Sequence, residues 1–331
     1  MRGAGDTPEL LYLSRADIDA IALEPQDVAR AIEAMLAAKA AGGTAMVPKT
    51  HFRLPDSVPD GAAFFSMPGA LADPPVAAVK WIGLAAGNSQ RNLPHISGTI
   101  VLSDGVTGLP IAIMDGEWVT AARTAGISAV AARHLARPES RTIGFVACGV
   151  QARSHLAALR TMLPLERVRA YGHRRPAVDD FVAHARGLGL QAEVATHPAD
   201  AVEDCDVVVT SVPEAPGLAP FLDPAWIAPG AFVSGVDIGR SWQRSNLRQL
   251  DLLVTDDHVQ SRALAPSGRS AWSNEFDADL AELVAGIKPG RRTADQRTML
   301  IFSGLALADV AVSAALAARA RTRGIGTVLE R

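Results

Sequence analysis

A chain of 331 residues exceeds what one hydrophobic core usually serves, so two domains are expected. A hydrophobic share of 48% against 20% charged residues describes a globular protein and excludes a disordered or fibrous one. The net charge of -3, with both signs interspersed, leaves no basic stripe for a phosphate backbone, so nucleic acid is excluded and a small-molecule partner is expected.

After a polar leader, Leu10 to Leu13 reads as a short strand, Ser14 as a cap, and Pro25 to Ala41 as a helix ended by Gly42-Gly43. From Val47 to Ile113 the texture becomes short β-type runs, Ala62 to Met67, Ala77 to Ile82, Thr99 to Ser103 and Pro110 to Met114, separated by Gly, Pro and Asp turns. An antiparallel sheet is expected there. Trp118 to Ala136 then predicts one long Ala-rich helix carrying Arg123 near its start and bridging two domains, before Pro138 breaks the pattern.

From Thr142 the rhythm is strand, turn, helix. Strands are predicted at Thr142 to Ala147, Arg167 to Tyr171, Gln191 to Val194 and Val207 to Thr210, with helices at Ala152 to Met162 and Ala177 to Gly187. Such alternation implies an α/β fold with a parallel, doubly wound sheet, which Ala231 to Val236 and Leu252 to Thr255 would continue. The last helix is placed at about Leu300 to Ala318 and, being apolar on most faces, should be buried against the first domain or in a dimer contact. Cys148 and Cys205 are too few for a disulfide framework, and no charged and then apolar leader opens the chain. No stretch approaches the roughly 20 clean apolar residues a membrane span requires. A cytoplasmic protein with no membrane partner is the expectation.

Between the first strand and helix of the alternating part lies Ala147-Cys148-Gly149-Val150-Gln151. There a nucleotide-binding fold presents backbone amides to a pyrophosphate, because unpaired N–H groups and the helix dipole point out of a helix start. The usual first glycine is Ala147, and one glycine in such a turn also serves simple turn chemistry, so the surrounding alternation carries the reading. The second strand runs into Tyr171-Gly172-His173-Arg174-Arg175, without the acid that accepts from the ribose hydroxyls of NAD. Guanidinium groups suit a 2′-phosphate, so NADP is the expected cofactor, with NAD the alternative. The competing reading is that the two arginines merely solvate a helix start. Thr210-Ser211-Val212 would sit at the same carboxyl edge.

Several stretches taken in order resemble the ornithine cyclodeaminase and mu-crystallin family. They are Val79-Lys80-Trp81, Leu102-Ser103-Asp104 through Gly108-Leu109-Pro110, Met114-Asp115-Gly116, Thr120-Ala121-Ala122-Arg123-Thr124-Ala125, Gly149-Val150-Gln151 and Ser303-Gly304-Leu305-Ala306-Leu307-Ala308-Asp309. The resemblance implies a Rossmann-type nucleotide domain over 126–304, and an α+β substrate-binding and dimerisation domain from 1–125 with 305–331. It also implies a homodimer. Lys80 and Arg123 would grip a substrate carboxylate and Asp237 would handle protons, with Lys80 and Asp237 catalytic. Lys49 and Met67 would line the substrate. Thr124, Ala147, Gly149, Val150, Gln151, His173, Arg174, Arg175, Thr210, Ser211, Val212 and Asp237 would hold the cofactor.

The chemistry is sensible on its own terms. A planar guanidinium holds a carboxylate bidentately and fixes the α-carbon, and a lysine in the apolar run Val76 to Ile82 should have its pKa lowered by desolvation. An arbitrary strand lysine more often blunts an exposed edge, and an Asp after a strand is often a turn former. Family members often carry arginine at Lys49. The cyclodeaminases place a glutamate two residues before a Met-Pro pair, where this chain has Phe65 before Met67-Pro68. An apolar ring cannot pair the distal ammonium of ornithine. The expected activity is therefore reduction of the imine of a small imino acid, or the reverse amino acid dehydrogenase or opine-type reaction. A cyclodeaminase and a small-ligand-binding protein are the alternatives. His51 and His95 are secondary candidates for a general acid, and no metal is expected.

Overall fold

The computed structural model describes residues 9–330 except 56, 59, 60 and 216. In chain order it runs β1 (Leu10–Leu13), α1 (Arg15–Ile21), α2 (Pro25–Ala40), β2 (Thr44–Met46), β3 (Thr50–Arg53), β4 (Ala63–Ala72), β5 (Pro75–Leu84), β6 (Ile96–Asp104), β7 (Pro110–Asp115) and α3 (Gly116–Leu135). There follow β8 (Thr142–Val146), α4 (Val150–Leu159), β9 (Arg167–Tyr171), α5 (Arg175–Gly187), β10 (Gln191–Val194), β11 (Val207–Thr210), β12 (Phe232–Gly235) and β13 (Leu252–Thr255). The chain ends with α6 (His258–Leu264), β14 (Ala278–Asp279), α7 (Leu280–Val284), β15 (Thr298–Ile301), α8 (Ala306–Arg323) and β16 (Thr327–Leu329). Two compact units result, one from the described residues of Met1–Arg123 and Leu305–Arg331, the other from Thr124–Gly304.

The first unit is built on a mixed sheet in the order β16-β1-β7-β6-β5-β4-β2, with β3 also on β4. Strands β4 to β7 form the expected antiparallel meander. Strand β1 joins it parallel to β7, and β16 closes that edge antiparallel to β1. Helix α1 starts with a capping box, Ser14 accepting from Asp17 N while the Asp17 carboxylate takes Ser14 N, an arrangement that contributes roughly 1 kcal/mol. Helix α8 packs on α2 and on β4 and β5. A Cβ added at Gly69 would lie 3.3 Å from Leu307 Cδ2, so glycine sets how closely α8 approaches the sheet.

The sequence placed the last helix from Leu300, whereas Thr298–Ile301 is a fully buried strand and the helix begins at Ala306. Met299, Leu300 and Ile301 form an apolar run that periodicity alone cannot divide between a buried strand and a buried helix. Gly304 separates the two, with φ of +86°, a conformation that favours glycine.

Every pairing in the second unit is parallel, in the order β10-β9-β8-β11-β12-β15-β13-β14. Strand β8 is buried at every residue, as a strand covered on both faces must be. The predicted Trp118 helix begins at Gly116 instead, because Asp115 Oδ1 accepts from the N–H groups of Glu117 and Trp118, both at 3.1 Å, and so caps the first turn. Among the described residues no helix is long and apolar enough to cross a membrane.

Candidate active site

In the first unit the pleat puts Lys80 on the face of β5 that also carries Val76 and Ala78, opposite Met67 of β4 on one side and Ile100 of β6 on the other. That face lies beneath α8, and Lys80 is wholly buried. Its Nζ donates to Asp309 Oδ1 at 2.7 Å and to Thr120 Oγ1 at 3.1 Å. Arg123, 6% exposed, donates from Nε to the same Asp309 oxygen at 3.1 Å. Burial and the neighbouring Arg123 charge bring the Lys80 pKa down from 10.5 to about 7, against the opposing pull of Asp309. Lys49, half-buried just ahead of β3, lowers it a little further. The expectation that desolvation would tune this lysine is met in an enclosed form, since no edge of Lys80 faces solvent.

The Lys80 face continues through Phe65 and Ile82, which are paired in register, to His51 on β3. His51 stacks on Phe65 with ring centroids 5.7 Å apart and planes 21° from parallel. His95 instead makes a loop contact, its Nδ1 lying 3.2 Å from Ala85 O. The sequence did not single out Asp309 or Thr120 as site residues. The signals available for Asp309 were its place at the end of the Ser303 to Asp309 motif and its being one carboxylate inside the apolar stretch Leu305 to Ala318.

In the second unit the carboxyl ends of β8, β11 and β12 gather most of the remaining candidates. Gly149 is the N-cap of α4, and the first intrahelical bond runs from Arg153 N to Gly149 O, so the N–H groups of Val150, Gln151 and Ala152 have no acceptor within the helix. A Cβ on Gly149 would meet nothing within 4 Å, and Val150 is 69% exposed, so open space lies before this helix start. Gln151 Oε1 is buried without a hydrogen-bond partner. Ala147 has φ of +75°, a left-handed geometry that costs an L-residue roughly 1–2 kcal/mol, at the position where the fingerprint has glycine. Its N–H is tied to Tyr171 O at 2.8 Å and its carbonyl accepts from Ser211 Oγ at 3.4 Å. These residues fit a pyrophosphate approaching bare backbone amides.

His173, Arg174 and Arg175 follow β9 and are exposed. Arg174 occupies the N-cap position of α5, and Arg175 pairs with Asp179 one turn on, at 2.8 Å. Thr124 lies buried on α3, its carbonyl oxygen 3.4 Å from Ser128 Oγ. Asp237 is buried and accepts from Thr210 Oγ1 at 3.0 Å, Gly239 N at 3.1 Å, Ser241 Oγ at 2.7 Å and Val212 N at 3.4 Å. Trp242 Nε1 donates in turn to Thr210 Oγ1 at 3.3 Å. Burial pushes the Asp237 pKa up while the Ser241 and Thr210 hydroxyls hold it down. Both carboxylate oxygens are thereby committed to joining the segments after β11 and β12. Among the described residues no three His, Cys, Asp or Glu side chains group as for a metal ion. Burial raises the Cys148 thiol, in the turn between β8 and α4, to about 12, which leaves it unreactive.

A doubly wound parallel sheet with an open helix start at its carboxyl edge, and an α+β unit with a buried lysine–arginine–aspartate cluster, define a dinucleotide-dependent class of protein. The chain matches the ornithine cyclodeaminase/mu-crystallin family over residues 11–324 and belongs to it. It is 28% identical to an alanine dehydrogenase of Archaeoglobus fulgidus over 97% of this chain and 98% of that one. An archaeal alanine dehydrogenase dimer with bound NAD superposes with a TM-score of 0.86 at 27% identity, over 97% of this chain and 99% of that one. The Δ1-pyrroline-2-carboxylate reductase of Thermococcus litoralis, solved with NADH and L-proline, gives a TM-score of 0.86 at 25% identity, over 96% and 100% of the two chains. The protein is an enzyme of the dehydrogenase and reductase type these relatives represent.

Proposed function

We propose that this protein is a homodimeric NAD(P)-dependent oxidoreductase, preferring NADP, that reduces the imine of a small imino acid or runs the reverse oxidation of the amine. The observation that carries the reading is the buried Lys80–Asp309–Arg123 cluster, two cations and one anion within hydrogen-bond distance. Its surplus positive charge suits a single carboxylate. Imine reduction calls for a carboxylate anchor, a proton donor near neutral pH and a hydride source. Arg123 supplies the first, its guanidinium fixing the α-carbon. Lys80 supplies the second: with a pKa of about 7 it holds and releases a proton in the working range.

A nicotinamide nucleotide supplies the third when bound by the second unit. Gly149, Val150 and Gln151 would hold the pyrophosphate through backbone amides, with Ala147, its own N–H bonded to Tyr171 O, shaping the turn and Thr210, Ser211 and Val212 alongside. Arg174 and Arg175, following a β9 that ends without an acid, favour a 2′-phosphate. Asp237, with both oxygens committed, positions Val212 and the Gly239 turn, and proton transfer falls to Lys80. Phe65 on the Lys80 face supports a small apolar substrate side chain, since a ring stacked on His51 offers no carboxylate to a distal ammonium.

The test follows the absorbance of NADPH or NADH against a panel of imino acids, 2-oxo acids with amines, and ornithine. Oxidation of NADPH by an imino acid, at least tenfold slower in Lys80→Ala and Arg123→Ala, is the expected outcome. Silence with every imine while ornithine releases ammonia would replace the reading with a cyclodeaminase, and unchanged rates in both variants would remove the site.

A further inference from the structure

We infer that Asp309 is the positioning residue of this site: by bridging Lys80 and Arg123 through one oxygen it holds two cationic donors at a fixed separation as a single anion-binding edge. The inference rests on the carboxylate-binding reading above and adds a residue to it.

The geometry comes first. Lys80 Nζ and Arg123 Nε meet on Asp309 Oδ1 at 2.7 and 3.1 Å, while Asp309 Oδ2 is buried with no hydrogen-bond partner. The pairing of this carboxylate therefore runs through one atom, and that atom fixes the separation of the two cations. Because Nε is taken by Asp309, Arg123 cannot present its Nε–Nη side to a substrate. A carboxylate must be gripped end-on by the two Nη nitrogens. Lys80 has three N–H donors; Asp309 and Thr120 accept two, and the third is the one for a ligand.

Charge balance leads to the same residue. The charged groups facing Lys80 are Asp309 from α8, Arg123 from α3, and more weakly Lys49 from the segment before β3, while Met67 and Ile100 on the flanking strands bring none. Burial, Arg123 and Lys49 all drive the proton off Lys80, and Asp309 is the group that holds it on. Without that carboxylate the lysine would be neutral at physiological pH, and the edge would keep the arginine charge alone. With it, Lys80 stays close to half-protonated near pH 7, so a bound monocarboxylate meets two cationic donors instead of the guanidinium alone.

The chain has only four lysines, at 39, 49, 80 and 288, so protein labelled with ε-13C lysine gives a spectrum in which Lys80 is assigned by its loss in Lys80→Met. The expected result is a Lys80 titration near pH 7 in the wild type, moved down by one pH unit or more in Asp309→Asn and left within half a unit in Asp309→Glu. In the imine assay, kcat/KM of Asp309→Asn should lose at least tenfold at pH 8 and recover towards the wild type as the pH is lowered. A merely structural role would depress it equally at every pH. An unshifted Lys80 titration in Asp309→Asn overturns the inference. If that variant does not fold, Asp309→Glu decides: a lysine that no longer titrates near pH 7 although the carboxylate is kept overturns it equally. The NMR titration needs no substrate, so it separates failure of the Asp309 inference from failure of the imine-reductase reading.

Discussion

His155 lies wholly buried on α4, its Nδ1 2.7 Å from Gln151 O and its Nε2 2.9 Å from Ser128 Oγ, which is itself 2.8 Å from Ser234 Oγ. Gln151 O can only accept, so Nδ1 carries the hydrogen and Nε2 accepts from the serine hydroxyl, an arrangement that suits the neutral ring. Burial lowers its pKa from 6.5 to about 4. The unfolded chain therefore takes up this proton first as the pH falls. The stabilisation is fully present above 6.5 and is lost as the pH drops through about 4, an effect on the order of 3 kcal/mol. Denaturant unfolding at pH 7 and pH 4 should show His155→Gln losing less stability between the two than the wild type; equal losses would show that other groups set the acid limb. At this scale the sequence marked Lys80 and Arg123 through their motifs. Asp309 was marked only as the end of the Ser303 to Asp309 motif and given no role, because that role comes from a contact 229 residues away, which no local pattern carries.

Strand β8 shows how little room an element leaves at its centre. A Cβ on Gly144 would lie 1.8 Å from Ala201 O, a backbone atom that cannot swing aside, so Gly144→Ala must push the turn at Ala199–Ala201 off the sheet. Such overpacking exceeds the usual 1–3 kcal/mol, and a loss of at least about 3 kcal/mol is expected by denaturant titration. A loss below 1 kcal/mol would mean the turn relaxes freely. The long elements were legible because their periodicity is sustained: β5, β6, α3 and the β8 to β11 alternation all lie where composition and breakers put them. Strands β2, β3 and β16, three or four residues each, escaped. They are fixed by pairing with β4 and β1 rather than by a pattern of their own. Strand β15 was absorbed into the following helix because a buried parallel strand and a buried helix both read as unbroken apolar sequence.

The chain assembles its first unit from both of its ends while Thr124–Gly304 forms the second from contiguous sequence, so a ligand of one unit need not stabilise the other directly. That makes unfolding in the presence of nucleotide a test of where the nucleotide binds. A ligand at a hundred times its Kd adds about 2.7 kcal/mol to the unit that binds it. For a unit of 150–250 residues this corresponds to roughly 5–10 °C in Tm. Calorimetry with NADP+ should move the transition assigned to Thr124–Gly304 by that amount, and NAD+ at the same concentration should move it less. Replacing Arg174 and Arg175 together by alanine should remove most of the NADP+ shift and leave the NAD+ shift in place, because the ribose phosphate loses its guanidinium partners while the amides at Gly149 to Gln151 still meet the pyrophosphate. Arg175 already pairs with Asp179, so Arg174→Ala alone should account for the larger part. Equal loss of both shifts would trace to the start of α5 rather than to recognition of the phosphate, and the preference for NADP would fall with it.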